Sequence, residues 1–198
     1  MPSPHPPGRP REFDPDEMLD RILGLFWENG YEGTGLSDIT RATGLGKASL
    51  YAAFGNKHQI YLRALARYEQ TVVSPGAAAL RAPDTPPRDR IARFLSAPVE
   101  AVVQAGDHRG CFLCNAVSDR AALDPETDRM VQRGYGILRR ALAATLREAD
   151  PDTPDPALAA RAEMLLSLYA GLRVRARAGD GAAVLAASRD AALALLCP

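Results

Sequence analysis

The run Leu36-Ser-Asp-Ile-Thr-Arg-Ala-Thr-Gly-Leu-Gly-Lys-Ala-Ser-Leu-Tyr-Ala-Ala-Phe-Gly-Asn-Lys57 constrains this chain more than any other segment. Leu36, Ile39 and Ala42 recur at three-residue steps and so share one face of a short helix. Thr34-Gly35 precede that helix as its cap region. Asp38 falls in its first turn, where a carboxylate meets the positive end of the helix dipole. Gly44 supplies the left-handed residue that ends a helix without steric cost. Leu45 then points back into a small core, and Gly46 opens a second helix predicted over Lys47 to Ala53. Leu50 and Phe54, four apart, face inward on it. Lys47, Ala48, Ser49 and Tyr51 face outward.

Two short helices around a glycine turn can lay the second helix in a duplex major groove. The outward residues have the chemistry for it. Lys47 can donate to a guanine edge or a phosphate, and Ser49 is a short donor and acceptor near the helix N-terminus. Ala48 permits close approach and can touch a thymine methyl. Tyr51 can reach a phosphate with its hydroxyl, and Lys57 adds its charge to the N-terminal dipole of the following helix. With Thr34, these are the candidate DNA-contacting residues. The chain holds 24 basic and 24 acidic residues, so no bulk affinity for nucleic acid is implied. Locally the balance differs: no acidic residue lies between Asp38 and Glu69, while Arg41, Lys47, Lys57, Arg63 and Arg67 all do. Lys47 and Lys57 are the only two lysines in the chain. The bland alternative is a solvated face of an ordinary helical domain. The combined turn, tyrosine, aromatic and lysine spacing favours double-stranded DNA.

The first helix begins at Asp14, a good N-cap, with Pro15 at its first position and Glu17 three residues after the cap. Met18, Ile22, Leu25 and Phe26 form its apolar stripe, and Asn29-Gly30 end it. Trp27 borders the stripe as a packing residue. From Ile22 to about Leu65 the chain resembles the TetR family of bacterial repressors. The resemblance rests on Leu25-Phe26, Gly30-Tyr31-Glu32-Gly33-Thr34, Asp38-Ile39, Ala42, Gly44, Ser49-Leu50-Tyr51 and Phe54-Gly55-Asn56-Lys57. It implies an all-α fold, with an N-terminal three-helix headpiece carrying the helix-turn-helix. A C-terminal helical bundle would dimerise and hold a small-molecule pocket. Gly46 stands where many relatives have a capping residue, so the recognition helix starts less firmly. Ala53 replaces a residue that often touches the DNA backbone.

The expected organisation is an arm over 1–12, a DNA-binding domain over 13–60, and a ligand-binding and dimerisation domain over 61–198. In the arm, Gly8-Arg9-Pro10-Arg11 can reach a minor groove or act as a solubilising leader. The helix from Lys57 runs to about Val73, and residues 74–88, with Pro75, Pro83, Pro86 and Pro87, read as a loop or broken turns. Body helices follow over Arg88 to Ala105 with a kink at Pro98, Gly110 to Leu123, Pro125 to Ala149, Pro156 to Ala178, and Ala182 to Leu196. The last two are rich in alanine and leucine over wide faces. Ala159, Ala160, Ala187 and Ala191 permit close approach, either within a monomer or in a two-fold four-helix interface. The resemblance favours the homodimer. Phe94, Cys111, Cys114, Tyr135 and Tyr169 are the candidate walls of the effector pocket, as aromatic and polarisable groups around the centre of the body.

Cys111 and Cys114 lie three apart and meet on one helix face. Near a helix N-terminus, with His108 and Arg109 close in sequence, a thiolate is favoured and a sensor of oxidants or electrophiles is conceivable. Plain packing is the simpler reading. One CxxC and one histidine give at most three metal ligands, so no metal is expected. Cys197 is incidental. A cytoplasmic thiol-redox enzyme using the Cys111-x-x-Cys114 pair is the competing function, and the lack of alternating strands counts against it. No catalytic residues and no cofactor are expected. No apolar stretch suits a bilayer, and the first ten residues lack a signal-peptide core, which together suggest a cytoplasmic protein.

Overall fold

The computed structural model describes residues 13–196, and every regular element in that span is helical. The arm over 1–12 and Cys197 lie outside the described residues. Ten α-helices follow in order: α1 (Pro15–Gly33), α2 (Leu36–Thr43), α3 (Lys47–Phe54), α4 (Lys57–Tyr68), α5 (Ser74–Leu80), α6 (Pro87–Ala105), α7 (Phe112–Asp119), α8 (Pro125–Ala149), α9 (Asp155–Arg177) and α10 (Ala182–Leu196).

α1 starts as its sequence dictates. The Asp14 carboxylate accepts from the Asp16 and Glu17 N–H groups at 2.9 and 3.5 Å, and Pro15 occupies the position whose N–H would be unused. Met18, Ile22, Leu23 and Phe26 are buried against α2 and α4. The helix breaks at Gly30, as expected, with φ 73° and ψ −178°, and a further turn follows to Gly33. Gly30 is required there: a Cβ at that position would lie 2.9 Å from an Asp119 carboxylate oxygen.

Between α4 and α5 the chain does not leave the helix. Residues Glu69–Val73 form one π-helical stretch, and the Ser74 N–H bonds to the Glu69 carbonyl, five residues back. This corrects the loop expected to begin at residue 74. A proline inside an α-helix clashes with the carbonyl four residues earlier. The wider π turn shifts that carbonyl aside, so Pro75 sits in the first turn of α5 and the rod continues to Leu80. Only residues 81–86 are non-helical before α6. The segment expected as one helix to Leu123 is α7 followed by a short 3₁₀ turn over Ala121–Leu123. α8 and α9 match their expected bounds within a residue.

One continuous core joins the helices of the N-terminal third to those behind. Its centre is a chain of edge-on aromatic pairs. Phe26 and Tyr31 both meet Tyr61, at 5.1 and 5.0 Å between ring centres. Phe112 of α7 meets Tyr61 at 5.6 Å and Tyr68 at 5.8 Å, and Tyr68 meets Trp27 at 4.9 Å. Edge-to-face geometry sets positive ring edges against negative faces. Burying a ring the size of Phe112 contributes roughly 1.5–3 kcal/mol. Behind this layer α8 packs along α9, α6 lies across both, and α10 rests on α6 and α9.

Candidate functional site

α2 and α3 form the expected pair. Gly44 takes φ 70° and ψ 5°, and its N–H caps α2 on the Thr40 carbonyl at 2.9 Å. The Asp38 carboxylate accepts from the Gly35 N–H at 2.9 Å, so it closes the helix start as well as meeting its dipole. Gly46 gives α3 no side-chain cap, as the missing hydroxyl implied. α3 is held by Leu50 and Phe54, both buried, with Leu45 half-buried beside them.

Lys47, Ala48, Ser49 and Tyr51 are all exposed on the opposite side. The Lys47 ammonium stands 5.8 Å from the centre of the Tyr51 ring, and neither side chain makes a hydrogen bond or ion pair among the described residues. Tyr51 is one of the few large hydrophobic side chains left in solvent, at 38 % exposure. Lys57 opens α4 and sits over the Tyr31 ring at 4.4 Å. Its helix start is closed by Asn56 and Gln59, each accepting from the other's N–H at 3.0 and 2.9 Å. That box is readable from Asn56 and Gln59 in the sequence and was not singled out there.

Two expectations change. Thr34 is fully buried, and its hydroxyl donates to the Gly30 carbonyl at 2.8 Å and the Leu25 carbonyl at 3.3 Å. Its side chain therefore ties off the end of α1 and does not join the outward face. The acid-free interval also overstated the free positive charge. Arg67 is held by Asp20 at 2.7 and 2.8 Å and by Asp16 at 3.1 Å, both arriving from α1. Arg41 pairs with Asp38 at 3.4 Å.

Behind this face lies a cavity of about 330 Å³, walled by α4, the π turn, α5, α6, α8 and α9. Phe94, Cys111 and Tyr169 line it, with Phe94 and Tyr169 stacked 4.2 Å apart. Cys114 and Tyr135 do not line it; they stand one layer behind, where the Tyr135 hydroxyl donates to the Cys114 sulfur at 3.3 Å. Tyr68, Arg90, Arg93 and Arg173, not singled out from sequence, also line it. Their membership depends on which helices pack together, which local periodicity does not carry. One clue was present: Arg173 lies four residues from Tyr169 on a helix whose inward stripe is otherwise apolar.

Cys111 and Cys114 are both free and buried. His108 and Arg109 bond elsewhere and make no hydrogen bond to either sulfur. His108 bonds the Ala176 carbonyl at 2.8 Å, and Arg109 turns to Asp107 and covers the Trp27 ring at 4.1 Å. Hydrogen bonds from Cys114 and then Tyr68 lower the Cys111 pKa against the penalty of burial. The Cys114 hydrogen bond to Cys111 and its own burial push the Cys114 pKa up. Both sulfurs are closed to the protein substrates that a thiol-exchange enzyme must reach.

The helices of the body are tied to the end of α1 and to α4. Asn115 of α7 donates to the Trp27 carbonyl at 3.2 Å, and the Asp119 carboxylate accepts the Tyr31 N–H. Arg177 of α9 donates to the Trp27 and Glu28 carbonyls at 3.2 and 2.9 Å. These are unused acceptors at the end of a helix, where a cation also meets the negative dipole. Arg120 lies over the Tyr31 ring at 4.6 Å, on which Lys57 also stands. His58 of α4 meets Asp124, the N-cap of α8, at 2.7 Å. Burial works against the Asp124 charge. Hydrogen bonds from Thr127, His58 and the Glu126 N–H outweigh it and hold the carboxyl below the usual range.

Residues 18–64 match the family model for bacterial regulatory proteins of the tetR family. This headpiece is of the TetR-family type. It is 29 % identical over 175 residues to the HTH-type transcriptional repressor ComR of Escherichia coli K12, covering 87 % of this chain and 83 % of that one. It is 26 % identical over 182 residues to the repressor BdcR of the same strain, covering 92 % and 88 %. A cysteine mutant of the TetR-family regulator CifR, solved with a 26-base-pair double-strand operator, superposes with a TM-score of 0.81. That match is at 28 % identity and covers 94 % of this chain and 98 % of that one. No helix among the described residues is long and apolar enough to cross a membrane. Nor do they contain a cluster of three or more histidine, cysteine, aspartate or glutamate side chains suited to a metal.

Proposed function

We propose that this chain is a dimeric, cytoplasmic transcriptional repressor that reads a two-fold operator with α3 and leaves it when a small molecule or reactive compound occupies the cavity. It acts as a regulator and not as an enzyme. The observation that carries this reading is the contrast around α3. Lys47, Ala48, Ser49 and Tyr51 are presented outward with no partner among the described residues, while Leu50 and Phe54 fix the helix from behind. The repressors ComR and BdcR and the operator-bound CifR support the DNA and its repressive use. Lys57, at the positive end of α4, would clamp a phosphate.

The dimer is supported by a second unsatisfied face. Ala160, Met164, Gly171 and Val174 follow one another on the exposed side of α9, and Val184, Ala187 and Ala191 do so on α10. Apolar stripes on two adjacent helices suit a four-helix contact with a second copy. Two copies present two α3 helices to successive major grooves. A ligand in the cavity can shift this arrangement only by preferring one headpiece spacing over another. The contacts of Asn115, Asp119 and Arg177 with the end of α1 are the route by which the body sets that spacing.

The test is selection of bound duplexes from a random pool by the purified chain, with its mass measured by sedimentation. A palindromic consensus bound by a dimer is the expected result. A single asymmetric site bound by a monomer would remove the reading.

A further inference from the structure

We infer that the cavity selects a small anion with an apolar body, its carboxylate or similar group paired with Arg173. This rests on the cavity being the effector site. Three arginines, Arg90, Arg93 and Arg173, line the cavity, and no aspartate or glutamate does. Arg90 is answered by Glu148 and donates to the Leu80 carbonyl at 2.9 Å. Arg173 has no carboxylate partner among the described residues, and the titratable groups facing it are Tyr169, Tyr68 and Cys111. Its only hydrogen bond among the described residues runs from Nε to the Tyr169 hydroxyl at 3.0 Å. Asp107, a carboxylate whose charge it feels, is held by Arg109 through two side-chain bonds of 2.8 and 2.9 Å.

A guanidinium always carries its charge, and one withdrawn from bulk water needs an anion or a full set of acceptors. With Nε committed to Tyr169, the two terminal nitrogens of Arg173 present a planar fork. That geometry matches a carboxylate through two parallel hydrogen bonds. The walls around it are apolar: Val72 and Val73 from the π turn, Leu80, Phe94 and Leu138. A volume near 330 Å³ is at the small end for ligand sites. Arg93 is exposed to solvent at the rim, so Arg173 is the one half-buried cation without an acidic partner in a chamber walled largely by apolar side chains. Arg173 also lies one helical turn before Arg177, whose guanidinium caps the end of α1. An anion drawn onto Arg173 acts on the same stretch of α9 that holds the headpiece.

The experiment is isothermal titration of the full chain, kept reduced, with 4-phenylbutanoate and with 4-phenylbutanol, which share a body and differ in charge. The acid is expected to bind at least about tenfold more tightly than the alcohol. Arg173→Gln should erase that preference and Arg173→Lys should keep part of it, each checked for native helicity by circular dichroism. Equal or tighter binding of the alcohol to the unmodified chain would overturn the inference. So would no heat from the acid at millimolar concentration, or a preference that survives Arg173→Gln. Operator release is read separately. Tight binding of the acid with unchanged operator affinity would leave the anion site standing and remove its effector role. Release by acid and alcohol alike would keep the effector reading and remove the anion.

Discussion

α3 and α7 are both eight-residue helices, and neither has a side-chain cap. Their surroundings are opposite. α3 buries Leu50 and Phe54 and turns its remaining chemistry to solvent. α7 buries Phe112, Leu113, Cys114 and Ala116, and its polar residues Asn115 and Asp119 reach the end of α1. A short helix is marginal without tertiary support. α7 is buried along most of its length, leaving only Val117 and Ser118 in solvent, and joins the body to the end of α1. α3 is stabilised on one side only, and that bareness is what a second macromolecule can occupy. Function on the front face and transmission through the middle therefore require different kinds of residue, and their substitutions should fail in different ways.

The largest effect is expected in the joint. Phe112→Ala removes the ring between Tyr61 and Tyr68 and should cost about 3–5 kcal/mol in urea unfolding. A loss under about 1 kcal/mol would mean that α7 is not a joint. Gly30→Ala comes next. It forces a Cβ onto a backbone with φ 73° and against Asp119, so a loss of about 1–3 kcal/mol and faster amide exchange at Tyr31 are expected. Unchanged exchange there would detach the Asp119 contact from the end of α1.

Asp124→Asn should cost less, about 1–2 kcal/mol at neutral pH. The folded chain holds the Asp124 carboxyl below the ordinary range, so its contribution is complete above about pH 4 and is lost as the pH falls further. Melting curves from pH 7 down to 3 should show the parent beginning to lose this increment below about pH 4 and the variant having none to lose. Parallel curves would contradict the tie between α4 and α8. Lys47→Ala on α3 should have the smallest effect on folding, within about 0.5 kcal/mol, because its side chain makes no bond or ion pair among the described residues.

What the sequence showed follows the same division. The turn at Gly44 and the outward set on α3 were legible because caps and periodicity are local. α8 was legible from Pro125 and the break after Ala149. α5 was not, because Pro75 and Gly76 read as punctuation unless the π turn before them is known. Thr34 looked like a contact residue because its place in the chain borders α2. Only the packing of α1 shows its hydroxyl directed inward. In the cavity, Phe94, Cys111 and Tyr169 could be named as aromatic or polarisable groups. Tyr68 and Arg173 reach the same space from helices distant in sequence, and no spacing rule joins them.

The most direct measurement is fluorescence anisotropy of a selected palindromic duplex titrated with the parent chain and with the Lys47→Ala, Tyr51→Phe double variant. Docking of α3 in the groove predicts weaker binding by the variant at every salt concentration and a shallower salt dependence, with melting temperature and dimer mass unchanged. Equal affinity and equal salt slope for the two proteins would contradict it.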